Sequence, residues 1–283
     1  MLEGSIVALV TPFDENNNVN YIKIKEIVKH QITKGTKAIL ILGTTSEAST
    51  LSEKEQEQVV KIVSETNNGI MKIVVGLCYN DTNKSLYRAK IYEKYNIDYF
   101  LVITPFYNKT NESGLIKHFK IIADNVACPV ILYNIPGRTG VNISIEQLKL
   151  LSKHKNICGI KEASRDINQI IEEAFICDDN FSLYCGNDDL IFLFTLLNAR
   201  GAFNVYGNID PGTMNKLAKE TDFVLYRKYY PILRKIFSET NPIPIKALMN
   251  YLGCEVGECR LPLDKMNESL KDDLINEYKK LNN

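Results

Sequence analysis

Residues 155–164 read KNICGIKEAS, in which Ile157, Cys158, Gly159 and Ile160 make a short run with the composition of a buried strand, closed by Lys161. An ammonium taken out of water loses several kcal/mol of hydration unless it is paired or gives up its proton. The chain therefore places a costly group at the end of a strand. Runs of the same kind recur outward in both directions: at 5–10 (SIVALV), 37–42 (KAILIL), 72–76 (KIVVG), 98–103 (DYFLVI), 129–133 (PVILY), 181–185 (FSLYC) and 201–205 (GAFNV). Between them lie segments with apolar residues at helical spacing, such as IKIKEIVKHQI, SEKEQEQVVKIVSE and SLYRAKIYEKY, several entered at Ser, Asp or Asn positions suited to an N-cap. Strands that are apolar throughout are buried on both faces, as in a parallel sheet covered by crossover helices. Eight such βα units predict an α/β fold, a (β/α)8 TIM barrel, which takes roughly 250 residues. We assign residues 1–221 to the barrel and 222–283, helical in pattern and without a further strand, to a C-terminal helical appendage. A doubly wound open sheet is the competing fold, but it wants a Gly-rich phosphate turn after the first strand, and LVTPFDENNN has none.

The chain has 283 residues, 45% hydrophobic and 24% charged, which excludes disorder as its main theme. Lys plus Arg and Asp plus Glu total 34 each, so no net basic field exists to hold nucleic acid or an anionic membrane. Small molecules and further copies of the chain are the expected partners. The apolar run in MLEGSIVALVTPFDENNN is too short and too acidic at its flanks for a signal peptide, and no stretch approaches the roughly 20 apolar residues of a membrane helix. A cytoplasmic protein is expected. The seven cysteines form no CxxC pair and read as buried small hydrophobes in a reducing compartment. His30, His118 and His154 read as surface residues, and no metal site is expected.

In a barrel, chemistry gathers at the C-terminal ends of the strands. Lys161 stands at such an end. So do the polar clusters GTTSEAST (43–50), TPFYNKT (104–110), YNIPGRTG (133–140) and GNDD (186–189), which the fold would bring together over one mouth. Taken singly, each also reads as a turn, a helix cap or a core aromatic. Lys161 is different, because the strand before it argues for burial. Desolvation lowers a lysine pKa from about 10.4 towards 7 to 8, leaving an amine that is partly neutral and attacks ketones. The imine formed withdraws electrons from the adjacent carbon, which can then lose a proton and become an enamine nucleophile. Tyr133 offers a phenol as proton shuttle, Thr44 and Thr45 offer donors for a carboxylate, and Arg138 offers a bidentate clamp for a second one.

The segments GTTSE, TPFYNK, YNIPGRTG, GIKEAS, GNDD, ETNPIPIKALMNYLG and RLPL resemble the dihydrodipicolinate synthase family, within the pyruvate-dependent class I aldolases that include N-acetylneuraminate lyase. The likeness covers essentially the whole chain. PGRTG and KEAS favour the synthase branch. The resemblance implies a lyase that condenses pyruvate with L-aspartate 4-semialdehyde on the route to diaminopimelate and lysine, with no cofactor beyond the covalent imine of pyruvate with Lys161. It implies that Tyr133 relays protons and that Thr44 and Tyr107 link to it, Tyr107 being donated by a neighbouring subunit. Thr45 would hold the pyruvate carboxylate, Arg138 would receive the aldehyde's carboxylate, and Gly186 with the main chain at Phe203 would line the imine pocket. It also implies a homotetramer built as a dimer of dimers.

The chain departs from the family pattern at Ser46, where glycine is usual, in GLCYND (76–81) and in GAFNVYGN (201–208), changes expected to add bulk beside the pocket or the dimer contact. Ser46 implies a turn that either needs no positive φ or is strained. A sister aldolase acting on another 2-keto-3-deoxy acid would keep Lys161, Tyr133 and Thr45 but have no use for Arg138. A non-catalytic ligand-binding barrel is a rival of another class. Many family members are inhibited by L-lysine at a site matching Ala48, Ser49, Glu53, Gln56, Asn80, Lys84 and Phe106 here. Lys84 and Phe106 stand where sensitive members have glutamate and tyrosine, so insensitivity to lysine is expected.

Overall fold

Each of the eight apolar runs forms a strand in the computed structural model, which describes residues 1–282. The strands are β1 (Gly4–Ala8), β2 (Ala38–Ile41), β3 (Lys72–Leu77), β4 (Tyr99–Ile103), β5 (Val130–Asn134), β6 (Ile157–Glu162), β7 (Ser182–Cys185) and β8 (Gly201–Asn204). They pair in parallel with their sequence neighbours, and β8 closes on β1 through Gly4↔Gly201 to Val7↔Asn204. Closure leaves no sheet edge, and it sorts alternate side chains onto two faces. Ile6, Leu40, Val74, Leu101, Ile131, Tyr184 and Phe203 point inward and fill the barrel. Val7, Ile39, Val75, Val102, Leu132, Ile160 and Leu183 point outward under the helices.

Helix starts follow the capping chemistry. The Glu53–Asn67 helix begins with a capping box, Ser52 with Glu55. Asn20, Asp81, Asn111, Asp166 and Asp210 each accept a backbone N–H from the first turn of the helix that follows. After the Pro211–Leu217 helix come three more, Phe223–Lys235, Ile243–Tyr251 and Glu268–Asn282, and no further strand among the described residues. The segment joining the first two returns over the C-terminal ends of the strands, which ties the end of the chain to the barrel mouth.

Two expectations are corrected, and the alternative left open at Ser46 is decided. His118 is buried, 4% exposed, between the Thr82–Tyr92 and Glu112–Asn125 helices, where its Nδ1 lies 2.9 Å from Thr82 Oγ1. Burial pushes its pKa down to about 4, so it is neutral at physiological pH. Cys254 is exposed rather than buried, although all seven thiols are free. Ser46 needs no left-handed backbone. The residue that adopts it is the next one, Glu47, at φ 53°, and Ser46 turns away from the pocket to donate its hydroxyl to Leu9 O at 2.7 Å.

Candidate active site

At the C-terminal ends of the strands lies a cavity of about 570 Å³. Of the eight residues expected there, Thr44, Thr45, Tyr133, Arg138, Lys161, Gly186 and Phe203 line it together. The strand register explains the centre of the group. Lys161 on β6 is level with Tyr133 on β5 and Tyr184 on β7, so all three side chains point into the barrel. Lys161 is 6% exposed. Its Nζ stands 4.1 Å from the centroid of the Tyr133 ring and 5.3 Å from that of Phe203. Gly186 must be glycine, because a Cβ there would lie 2.8 Å from both Ala163 Cβ and Glu162 O and 3.2 Å from Lys161 Cε.

A second buried lysine shows what is unusual about the first. Lys246, 1% exposed, donates to Glu47 Oε1 at 2.9 Å, Glu258 O at 2.8 Å and Thr11 O at 3.2 Å. All three of its protons are used, and this lysine is structural. Lys161 makes no hydrogen bond or ion pair among the described residues, although it is nearly as deeply buried. Its amine is therefore left without a fixed partner, facing the cavity between two aromatic rings.

Around Lys161 the groups differ in readiness. The Thr45 hydroxyl, buried, accepts a hydrogen bond from Asn241 Nδ2 at 2.9 Å. Arg138, in the short Pro136–Thr139 helix after β5, is exposed and its Nη2 reaches Asn241 O at 3.4 Å. No hydrogen bond joins Thr44 to Tyr133 among the described residues. Tyr107 stands apart: it does not line the cavity of its own chain, its side chain is 91% exposed, and its backbone is left-handed at φ 69°. Phe203 was expected to contribute main chain, yet its ring also faces the lysine. Asp188, 1% exposed, accepts from Val205 N and Tyr206 N at 2.8–3.0 Å and so fixes the loop after β8. Burial pushes its carboxyl up to about 7, against those N–H bonds. The Cys78 thiol is pushed up to about 11 by burial, opposed by the nearby Lys161 charge.

Reading the strand ends missed Arg165 and the segment Phe237–Asn241, all of which line the cavity. Arg165 has a left-handed backbone, φ 68°, and forms a bidentate pair with Asp189 at 2.8 and 3.0 Å. Asn241 sits in the ETNPIP motif, but nothing local in that motif shows where it returns in space. Among the described residues no group of three or more His, Cys, Asp and Glu side chains is placed to hold a metal ion, and no helix is long and apolar enough to cross a membrane.

This geometry can be set beside known proteins. The model of the dihydrodipicolinate synthetase family matches residues 1–281. The chain is 43% identical over 285 residues to 4-hydroxy-tetrahydrodipicolinate synthase 1 of Clostridium acetobutylicum, covering 97% of each chain. It is 40% identical to 4-hydroxy-tetrahydrodipicolinate synthase of Acetivibrio thermocellus, covering 94% of this chain and 92% of that one. Its fold matches the crystal structure of the chloride-inhibited dihydrodipicolinate synthase of Acinetobacter baumannii complexed with pyruvate, with a TM-score of 0.96 at 34% identity over 100% of this chain and 99% of that one. A second match is the enzyme of Cyanidioschyzon merolae with lysine bound, TM-score 0.91 at 30% identity, covering 99% and 98%. With its whole length matched and a closed barrel that places an unpaired lysine at its mouth, the chain belongs to the dihydrodipicolinate synthetase family.

Proposed function

We infer that this enzyme condenses pyruvate with L-aspartate 4-semialdehyde to 4-hydroxy-tetrahydrodipicolinate through an imine on Lys161. The observation that carries this reading is the contrast between the two buried lysines: Lys246 is saturated by Glu47 and two carbonyls, whereas Lys161 faces the cavity with no hydrogen bond or ion pair among the described residues. Nζ attacks the ketone of pyruvate and water leaves. The imine then acidifies the methyl group, the enamine adds to the aldehyde, and the amino group of the bound adduct attacks the imine carbon, closing the ring and releasing the lysine amine. Tyr133, in register with Lys161, is the proton carrier, with Thr44 beside it on the cavity wall and a Tyr107 from a second subunit completing the relay. The left-handed, exposed position of Tyr107 supports donation to a neighbour, and a dimer of such dimers makes the tetramer. Thr45 holds the pyruvate carboxylate and Arg138 the carboxylate of the aldehyde, while Gly186 and Phe203 wall the imine. We assign residues 1–221 to the barrel and 222–283 to a helical appendage at its mouth, of which Asn283 lies outside the described residues. The free thiols fit a reducing compartment such as the cytoplasm.

Borohydride added with pyruvate should leave one pyruvate-derived adduct per chain on the peptide containing GIKEAS, and Lys161→Ala should remove it. Trapping on another lysine, or none, would refute the mechanism.

We further propose that L-lysine does not regulate this enzyme. Glu53, the acid nearest to replacing those missing from the regulatory cleft, is engaged by Lys84 at 3.3 Å and Arg88 at 3.6 Å. Gln56 Oε1 is occupied by the Tyr79 and Tyr92 hydroxyls at 2.5 and 2.9 Å. A ligand with two ammonium groups meets Lys84 as a like charge of about 1 kcal/mol or more. Initial rates at saturating pyruvate should be unchanged by about 1 mM L-lysine, and half-inhibition below that level would show that another acid compensates.

A further inference from the structure

β5 and β6 meet across an irregularity. Val130 pairs with Ile157 but Ile131 pairs with Gly159, so Cys158 is an extra residue in β6. Beyond it the register runs Leu132↔Ile160, Tyr133↔Lys161 and Asn134↔Glu162. A bulge of this kind disrupts the ladder locally and loosens the link between where a strand begins and how it ends. A slip of one residue would turn Lys161 to the helix side of the sheet and bring Glu162 into the barrel. The register at the far end therefore needs its own fixing, and that is where the amine and the phenol stand.

Asn134 and Glu162 close that end. They follow Tyr133 and Lys161 directly, so they project from the outer face of the same strands, and both are 0% exposed. Asn134 Nδ2 donates to Glu162 Oε2 at 2.7 Å and to Asn142 Oδ1 at 2.8 Å, while its Oδ1 accepts from Ile143 N at 3.0 Å. The other Glu162 oxygen, Oε1, accepts from Ser164 N. Main-chain bonds continue the seam: Ala163 N donates to Asn134 O at 2.9 Å and Gly186 N to Glu162 O at 2.8 Å. A buried carboxylate is costlier than an apolar residue of similar volume, so packing alone gives no reason for one at this place. What the pair adds is direction, because its donor and acceptor meet in one register and not in the next.

We propose that Asn134 and Glu162 are positioning residues for the imine chemistry: their hydrogen bond on the outer face of the barrel locks the register of β5 and β6 past the bulge, and so holds the Tyr133 phenol and the Lys161 amine side by side on the inner face. The inference rests on the reading of function given above. Neither side chain lines the cavity, so each acts through the neighbour that precedes it in sequence.

Three variants of the full-length enzyme test the pair. Glu162→Gln disturbs it whichever way the amide turns, because either Asn134 Nδ2 or Ser164 N then faces an N–H. Asn134→Asp sets two carboxylates against each other. The double variant puts a donor opposite an acceptor again, with the polarity reversed and the total charge that of Glu162→Gln plus Asn134→Asp, which is the wild-type value. In protein shown by circular dichroism to be folded at the assay temperature, each single variant should lose about tenfold or more in kcat. The KM for aspartate 4-semialdehyde, whose carboxylate meets Arg138, should move by less than about threefold. The double variant should return to within about threefold of the wild-type kcat. A purely structural pair would lower the denaturant midpoint and leave the kcat of the folded enzyme untouched. That result, or a double variant that regains stability without regaining kcat, would overturn the proposal, and where one of the three fails to fold the others decide by the same limits. A wild-type enzyme that traps no pyruvate on Lys161 would refute the reading of function itself, independently of these ratios.

Discussion

At the scale of single residues, the site separates groups that act on one substrate from groups that act on the other. Arg138 is exposed on a four-residue helix, 3.4 Å from a carbonyl oxygen and without an acid partner among the described residues. Its guanidinium is available to a carboxylate but is outside the aromatic cage around Lys161. Arg138→Ala should therefore leave pyruvate trapping intact while kcat/KM for the aldehyde falls by about 1.5 to 3 kcal/mol of transition-state stabilisation, the value of one charged hydrogen bond. Steady-state kinetics beside adduct mass measures both. If trapping fell as far as turnover, Arg138 would be acting on the imine pocket or on the fold.

At the scale of elements, β6 and the helix after it carry two buried acids. Glu162, next to Lys161, accepts from Asn134 Nδ2 at 2.7 Å and from Ser164 N, and Gln169 Nε2 bridges towards Glu173 at 2.9 Å. Both acids are 0% exposed. Burial, and then the neighbouring Glu162 carboxylate, hold the Glu173 carboxyl far above the ordinary glutamate value of 4.5. Above that pH the folded protein keeps a proton that the unfolded chain has lost, so this group's contribution to stability declines as pH rises through neutrality. Glu173→Gln removes the titration while retaining a polar amide. Urea unfolding at about pH 6 and pH 8 should show the wild type losing stability relative to the variant, by at most about 1.4 kcal/mol per pH unit. Parallel pH dependences would mean that the pair does not share a proton.

The strands were legible because a doubly covered parallel sheet demands continuous apolar runs, and eight such runs leave few other folds. Lys161 was legible as the charge that breaks one of them. His118 was not, because its burial comes from two helices packing face to face, and a polar residue on a helix declares its face only through such a neighbour. Arg165 and Asn241 escaped for a related reason. Each enters the cavity through a turn whose path depends on tertiary contacts: one on the Asp189 ion pair, the other on the return of the chain over the barrel mouth.

At the scale of the whole molecule, the C-terminal helices are fastened to the loop after β2 by charge. Lys246 and Glu47, 2% and 1% exposed in their side chains, meet at 2.9 Å, and Glu47 also accepts from Arg260 N at 2.8 Å. Arg260 in turn reaches Glu55 at 2.6 Å and Asn17 O at 2.6 Å. Removing one member strands the other as a buried charge, so Lys246→Met should lower unfolding free energy by about 3 to 5 kcal/mol. The double variant Lys246→Met with Glu47→Leu should recover part of that loss, because no unpaired charge is left behind. Denaturant midpoints of the three proteins test this. A single variant as stable as the wild type would show that the pair contributes little to joining the two parts of the chain.

Gly186 sets a limit of another kind. The loops around the mouth can drift in sequence as long as their polar tips still meet, but position 186 cannot gain one carbon without moving the backbone of Glu162 and the side chain of Ala163 that stand 2.8 Å from it. That backbone is the continuation of the strand that aims the amine. The history of this enzyme is therefore constrained at a residue that has no side chain, and a designer seeking a larger pocket would have to open it on the Phe237–Asn241 side.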